Sequence, residues 1–539
     1  MRGLGYRVSK SRRLLQIICA ITWCLFAAGP LFGFAAIKPI FIEQGVYQDK
    51  CNDTNSNECS QQELALDFLF TAGCMITNIS ALPVGWILDS YGPKITGIIG
   101  SIILSIGAFS LSWASRISIV DGYLVGFIFL ALAGPFVFIS CFQLANSFPK
   151  HSGLILALIT GSFDASSGLF LFYRIYYDNV YKLSIGWFFT IYLLVPIFIF
   201  TSQMTLMPDE SYKTVGTLAK IAETGIDESG KPLDKDLLYP QDVIDQEADD
   251  YDNTVEFYQP TIQETATSLL TRRASIGVVG SDRTSLRRAS FSSVNSNKSI
   301  YEQEADIKLT KSSGGVFGIL HGYSIRDQMS SNWFLLMCLF TMSQMLRINY
   351  FVATIKSQEL YLYGGNEEIA TKINHFFDVA LPLAGILAVP FIGLILDNFT
   401  TLSVFTLLTA LTLFIGITGL LSWLPATYAG ILVLVVFRPF FYTSVTDFCA
   451  KVFGYETFGT VYGSIIAFSG LCNIFQQVMD KITHLVFNKN PGPINIMLTI
   501  LTGVSGIALV GFVRSQEMDL KRLQLEMEAQ EAINRPIPT

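Results

Sequence analysis

Twelve stretches of this 539-residue chain stay apolar for about twenty residues each, and that fixes the solvent in which most of it must fold. A helix rises about 1.5 Å per residue, so about 20 mostly apolar residues match the roughly 30 Å hydrocarbon core of a bilayer. The runs fall at 15–37, 64–88, 95–115, 122–146, 152–174 and 184–207, then at 331–355, 373–396, 402–422, 428–447, 457–484 and 494–513. Lipid offers no partner to a backbone N–H or C=O, so runs of this length are predicted to be helices; barrel strands would be shorter and alternating. The first run extends past about 20 residues without a small-residue cleavage site, and we read it as a span rather than a signal peptide. Only 15% of residues are charged, against about 25% in soluble domains, which excludes a soluble enzyme of this size. A net charge of −7 removes a basic nucleic-acid binder. Seven of the nine Cys lie inside apolar runs or, for Cys449, just past the end of one, which argues against a disulfide framework or a zinc module.

The expected fold is an all-α membrane protein of 12 transmembrane helices in two six-helix bundles, residues 1–207 and 331–513. Between them, residues 208–330 are predicted to form a long, largely disordered cytosolic loop, because a stretch rich in Asp, Glu, Ser and Thr buries too little apolar surface to offset its ordering entropy. The loop repeats a basic-serine pattern, Arg272-Arg273-Ala274-Ser275 and Arg287-Arg288-Ala289-Ser290. Paired arginines suit a basophilic protein kinase as partner, and phosphate at Ser275 or Ser290 would reverse the local charge; ordinary variation in a Ser-rich linker is the alternative. Arg2, Arg7, Lys10, Arg12 and Arg13, with no acid among the first 14 residues, favour a cytoplasmic amino terminus. The loop 38–63 then faces the lumen or exterior, where a Cys51–Cys59 disulfide and a glycan on Asn52, in Asn52-Asp53-Thr54, are both permitted. The tail 514–539 is charged and helix-prone.

Between the second and third runs the chain reads Gly85-Trp86-Ile87-Leu88-Asp89-Ser90-Tyr91-Gly92-Pro93-Lys94. Gly85 and Gly92 allow close helix approach and a sharp turn, Asp89 can accept from a neighbouring helix N-terminus, and Lys94 stays at the cytosolic interface. A degraded copy, Gly393-Leu394-Ile395-Leu396-Asp397-Asn398, sits between the eighth and ninth runs. The pattern resembles the G-x-x-x-D-x-x-G-R/K-R/K loop of the major facilitator superfamily. That resemblance implies a gate in which Asp89 holds the start of span eleven, near Glu456 and Thr457, and lets go as the halves rock. Ser90 replaces the usual basic residue, Pro93 interrupts the basic pair, and Asp397 has no following basic residue, which counts against a second gate.

The blocks 23–34, 78–85 and 158–167 are similar to the solute carrier 43 family, especially its fungal branch. The resemblance implies facilitated transport of neutral amino acids, or of a nucleobase as in a divergent member, and points to the vacuolar membrane ahead of the plasma membrane. Phe148-Pro149-Lys150 is also similar to monocarboxylate porters, although their Asp-Gly pair in span one is absent. A non-transporting nutrient sensor is the competing class.

A charge near the middle of a membrane helix costs about 2.5–3.5 kcal/mol on insertion scales, so such residues face a cavity or a partner. Arg438 lies midway along span ten and Asp164 midway along span five, while Arg347 shares a face of span seven with Gln344. Arg438 or Arg347 would anchor a substrate carboxylate, and Asp164 would meet an amine or carry a proton; the alternative is a buried Arg–Asp pair that only fixes helix register. Gly29-Pro30 reads as a cavity-lining kink and Gly33 as a packing residue. Asn473, Gln476 and Gln477 would line the path or bond between helices. For Asp447 and Arg174, near span ends, snorkelling to the interface is expected. The four His, at 151, 321, 375 and 484, have no partner at metal spacing, and no Walker A sequence appears. No cofactor is expected, and the partners implied are a small-molecule substrate and membrane lipid.

Overall fold

A computed structural model of the chain describes residues 9–51, 60–116, 120–148, 151–208, 212, 316–454 and 456–534. Among these, ten helices are long and apolar enough to cross a membrane, and an eleventh crossing is a bent pair. One of the ten, Phe68–Ser112, holds two predicted runs. It is broken between them at Gly92, whose φ of 82° favours a residue without Cβ. All twelve runs therefore lie on helices, and the fold is all-α.

Several spans are interrupted where the sequence weakens the backbone ladder. Span one comprises Lys10–Trp23, a wide π turn at Cys24–Ala28, a non-helical Gly29 and a 3₁₀ turn at Pro30–Gly33, then Phe34–Glu43. Pro30 removes a donor and clashes with the preceding turn, which is why the helix breaks there. Span four is Gly122–Cys141, begun by Asp121, whose carboxylate accepts from the Tyr123 and Leu124 amides. Span five divides into Ser152–Ala165 and Gly168–Asn179, span six into Ile185–Tyr192 and Leu194–Thr205, and span eleven into Phe458–Cys472 and Ile474–Leu485. Span seven is Asn332–Leu362, span nine Thr401–Thr418 and span ten Leu424–Phe453. In span eight, Glu367–Ala384 and Val389–Asn398 meet at 53°. Span twelve runs unbroken from Gly492 to Asn534, so the charged tail continues its helix without a joint at residue 513.

Glycines let these helices approach. A Cβ on Gly107 would fall 2.9 Å from the Leu130 nitrogen, and one on Gly126 2.4 Å from the Leu111 side chain, locking span three to span four. Large apolar side chains such as Phe172, Leu387 and Ile507 point outward, as a lipid solvent allows.

The 208–330 loop needs one correction. Residues 316–330 are structured: Gly318 and Leu320 donate their amides to Lys451 and Val452 carbonyls at the end of span ten (2.9 and 3.0 Å), and a short helix follows at Ile325–Met329. Residues 213–315 lie outside the described residues, and with them Ser275 and Ser290; Asn52 and Cys59 lie outside too. Cys51 is disulfide-bonded.

Candidate functional site

Asp164 and Arg438 meet. Asp164 is the next-to-last residue of the first helix of span five, and Arg438 sits midway along span ten just before Pro439. Their side chains approach to 3.6 Å between Arg438 Nη2 and Asp164 Oδ1, with exposures of 8% and 2%. This is an ion pair between the two halves of the chain, and it is poorly satisfied. Neither carboxylate oxygen accepts a hydrogen bond from the protein, and Arg438 Nε donates none. Buried ions that lack hydrogen bonds carry a desolvation penalty of several kcal/mol each, so the arrangement favours any polar ligand that completes their shells.

The walls are aromatic. Arg438 stacks over the Phe32 ring at 5.6 Å, Phe32 packs on Phe163 at 5.6 Å, and Phe163 packs on Phe138 at 4.6 Å. Tyr442, one turn beyond Arg438, and Cys74 of span two also neighbour the guanidinium. Phe32 belongs to the broken stretch of span one, so that break places a ring against the pair. Gly29 lies against span five as well, where a Cβ would sit 3.0 Å from Ser166 Oγ and 3.1 Å from the Phe163 carbonyl. The Gly33 Cβ would overlap the Ser167 carbonyl at 2.1 Å. Gly33 thus packs against the backbone of span five, and Gly29 lies at the break in span one and packs there too.

At the motif end the halves are joined twice. Asp89 Oδ1 accepts from the Gly459 amide (2.8 Å) and Oδ2 from the Thr460 amide (2.6 Å), the second and third residues of the helix opening span eleven. Asp397 Oδ1 accepts from the Gly153 amide (2.8 Å), the second residue of the helix opening span five, and the Leu154 amide also faces the carboxylate. Each carboxylate thus satisfies otherwise unpaired amides and faces the positive end of a helix dipole in the opposite half. The contact expected at Glu456 and Thr457 falls a turn further along, and the second copy of the motif makes its contact despite lacking a basic residue. The bond needs a carboxylate and two amides only. Lys451 of span ten supplies positive charge nearby; it pairs with Asp447 at 2.6 Å, and both residues act electrostatically on Asp397.

Glycine makes this closeness possible. A Cβ on Gly85 would lie 1.8 Å from the Gly459 carbonyl oxygen, one on Gly463 2.2 Å from the Ala81 carbonyl, and one on Gly470 2.2 Å from Asn78 Cβ. Spans two and eleven therefore touch backbone to backbone along this length. Gly393 does the same against Leu154 at 2.8 Å. Lys94 is half-buried just after the Gly92 turn.

Other expected residues lie elsewhere. Arg347 donates to Thr502 Oγ1 (3.2 Å) and abuts Gly416, while Gln344 accepts from Thr412 (2.7 Å). Both side chains are turned toward spans nine and twelve, inside the second bundle and away from the Asp164–Arg438 pair. Helical spacing gave them a common face but not the identity of the neighbour. Asp447 is buried and paired rather than snorkelling, whereas Arg174 is half-buried and pairs with Asp178 at 3.6 Å. Asn473 marks the joint of span eleven, with its buried Oδ1 lacking a donor. Residues not anticipated are Phe32, Tyr442, Gly153 and Gly459. A helical turn from Arg438 to Tyr442, and a glycine near the start of both span five and span eleven, were the available signals.

No protein-family model matches the chain. Protein FMP42 of Saccharomyces cerevisiae is 46% identical over 516 residues, covering 94% of this chain and 96% of that protein. The equilibrative nucleobase transporter 1 of Bos taurus is 26% identical over 186 residues, about a third of each chain (33% and 37%). The large neutral amino acids transporter small subunit 3 of Mus musculus is 29% identical over 183 residues (31% and 32%). Among solved structures, the proton:xylose symporter XylE of the major facilitator superfamily superposes with a TM-score of 0.58 at 13% identity, over 94% of this chain and 96% of that one. The human organic anion transporter MFSD10 gives 0.50 at 12% identity, over 95% and 100%. These superpositions show the fold, and the two partial relatives are named as transporters.

Proposed function

Because the chain belongs to the family of the yeast Protein FMP42 and has the major facilitator fold, we propose that it carries a neutral α-amino acid across its membrane by alternating access, as a facilitator. The observation that carries this reading is the under-bonded Asp164–Arg438 pair between the halves. An amino acid is a zwitterion. Its carboxylate matches the guanidinium fork, and its ammonium matches the Asp164 carboxylate. Insertion replaces one ion pair by two and adds no net charge to the buried site. A monocarboxylate would add a negative charge, uncompensated unless Asp164 took up a proton. Proton-coupled monocarboxylate transport is therefore the second reading, with a nucleobase, the cargo named for a partial relative, as a third.

The Phe32, Phe163 and Phe138 rings beside Arg438 would receive an apolar side chain, which favours large neutral amino acids. Closure at Asp89 and Asp397 corresponds to an outward-facing or occluded carrier if the motif end is cytosolic, as the basic amino terminus suggests. Opening that end breaks amide-to-carboxylate bonds worth about 1.5–3 kcal/mol each, and equivalent contacts must form elsewhere for the two states to stay close in energy. The empty carrier returns with its internal pair closed, also neutral, so exchange is not obligatory. By resemblance we place the protein in the vacuolar membrane, with the plasma membrane as the alternative.

Uptake of labelled leucine into vesicles holding the purified protein, at two external pH values, tests the proposal. Saturable flux insensitive to pH is expected. Flux that needs a pH gradient would favour the second reading, and leucine binding without flux would mean a sensor.

A further inference from the structure

The short helix Ile325–Met329 carries a fully buried glutamine that touches the machinery of closure. Gln328 Nε2 donates to the Leu320 carbonyl (2.9 Å) and to the Phe453 carbonyl at the end of span ten (3.2 Å). Its Oε1 accepts from the Thr457 hydroxyl (2.7 Å). Thr457 is the residue preceding the first helix of span eleven, the position where a threonine oxygen ordinarily accepts from the second or third amide of its own helix. Here Thr457 makes no such bond. Those amides, Gly459 and Thr460, belong to Asp89 from the opposite half.

We infer that Gln328 is a positioning residue for the closure: by holding the Thr457 hydroxyl, it keeps span eleven from capping itself and leaves the Gly459 and Thr460 amides to Asp89. The local cap and the carboxylate compete for the same two donors, and Gln328 decides the competition. Residues 316–330, the end of the segment that precedes span seven, thereby act on the contact between the halves. Gly318, Leu320 and the His321 ring secure that segment to the end of span ten, the ring through the Lys451 carbonyl at 3.1 Å. The inference rests on alternating access and not on which solute is carried.

The test reads conformation instead of flux, so its failure is separate from failure of the amino-acid reading. Cys74, which lies beside Arg438, is retained while the six other free cysteines are replaced by Ala, and its alkylation by an impermeant maleimide is timed from the motif side of oriented vesicles. Gln328→Met keeps the volume but accepts no hydrogen bond. Releasing one hydrogen bond's worth of bias, about 0.5–1.5 kcal/mol, should raise labelling about two- to tenfold. Thr457→Val, which removes the competing oxygen and leaves the two bonds that Gln328 donates in place, should label as the parent does. Gln328→Met combined with Thr457→Ala removes the competing oxygen and should return labelling to the parent rate. A Gln328→Met variant that labels at the parent rate, a Thr457→Val variant that labels as fast as Gln328→Met, or a double variant that labels as fast as Gln328→Met alone, would overturn the inference.

Discussion

Asp164→Asn separates the two ends of the proposed substrate. The variant keeps the side chain's shape and removes one charge of a pair held at 3.6 Å with both members buried. At that separation two unit charges attract by about 4–5 kcal/mol for an effective dielectric of about 20. Part of that is offset by desolvation, and truncating one partner of a buried charge pair costs about 2–5 kcal/mol in measured cases. Leucine binding should therefore weaken about 30- to 5,000-fold, because its ammonium loses its counter-ion. The keto acid of the same carbon skeleton has no ammonium, and its carboxylate would meet an Arg438 freed from its internal competitor. Its half-saturation should fall. Arg438→Gln removes the carboxylate anchor and should weaken both compounds, and the double variant restores neutrality and serves as the control for folding. The assay is competition by each compound against labelled leucine in vesicles, normalised to inserted protein. Leucine and keto acid shifting by the same factor in Asp164→Asn, or no shift in either, would refute the zwitterion argument.

Gly85→Ala would place a methyl 1.8 Å from the Gly459 carbonyl oxygen, so motif-side labelling of Cys74 should rise even though Asp89 is intact; unchanged labelling would show that the contact between spans two and eleven is dispensable. Arg347→Met should lower the thermal midpoint through loss of the Thr502 bond while leaving the leucine-to-keto-acid preference unchanged, and an altered preference would return Arg347 to the substrate path. Phosphate mapping of the intact protein should find Ser275 or Ser290 modified in at least one nutrient condition, and absence at both in every condition removes the regulatory reading.

Span count and the motif were legible because lipid imposes them: a run of about 20 apolar residues has few other fates. Asp164 and Arg438 were legible singly, as charges that a membrane helix does not keep without reason, but nothing in one sequence states that spans five and ten meet at those two residues. Arg347 shows the limit from the other side. A period of 3.6 groups Gln344 with Arg347 yet is silent on whether their shared face meets the other half or spans nine and twelve. The contact at Asp397 was discounted for want of a basic neighbour, whereas the bond it makes uses the Gly153 and Leu154 backbone amides, which no side-chain pattern records. Residues 316–330 were lost in the average polarity of 208–330, although Val316-Phe317-Gly318-Ile319-Leu320 is an apolar patch inside it.

The two motif carboxylates also constrain how the halves separate. Asp89 of the first half holds a helix of the second, and Asp397 of the second holds a helix of the first, each at the second residue of that helix. A rotation that frees one contact while keeping the other would have to pivot at the surviving helix end, and the Gly85–Gly459 and Gly393–Leu154 approaches leave little room for such a pivot. Asp164 and Arg438 lie on spans five and ten, and span five is the helix whose first turn Asp397 holds. A ligand that draws the Asp164 side chain toward itself therefore pulls on a helix whose other end is part of the closure. If the solute binds at the proposed site, its coupling to closure needs no separate relay: one helical segment, Ser152–Ala165, carries both ends of it.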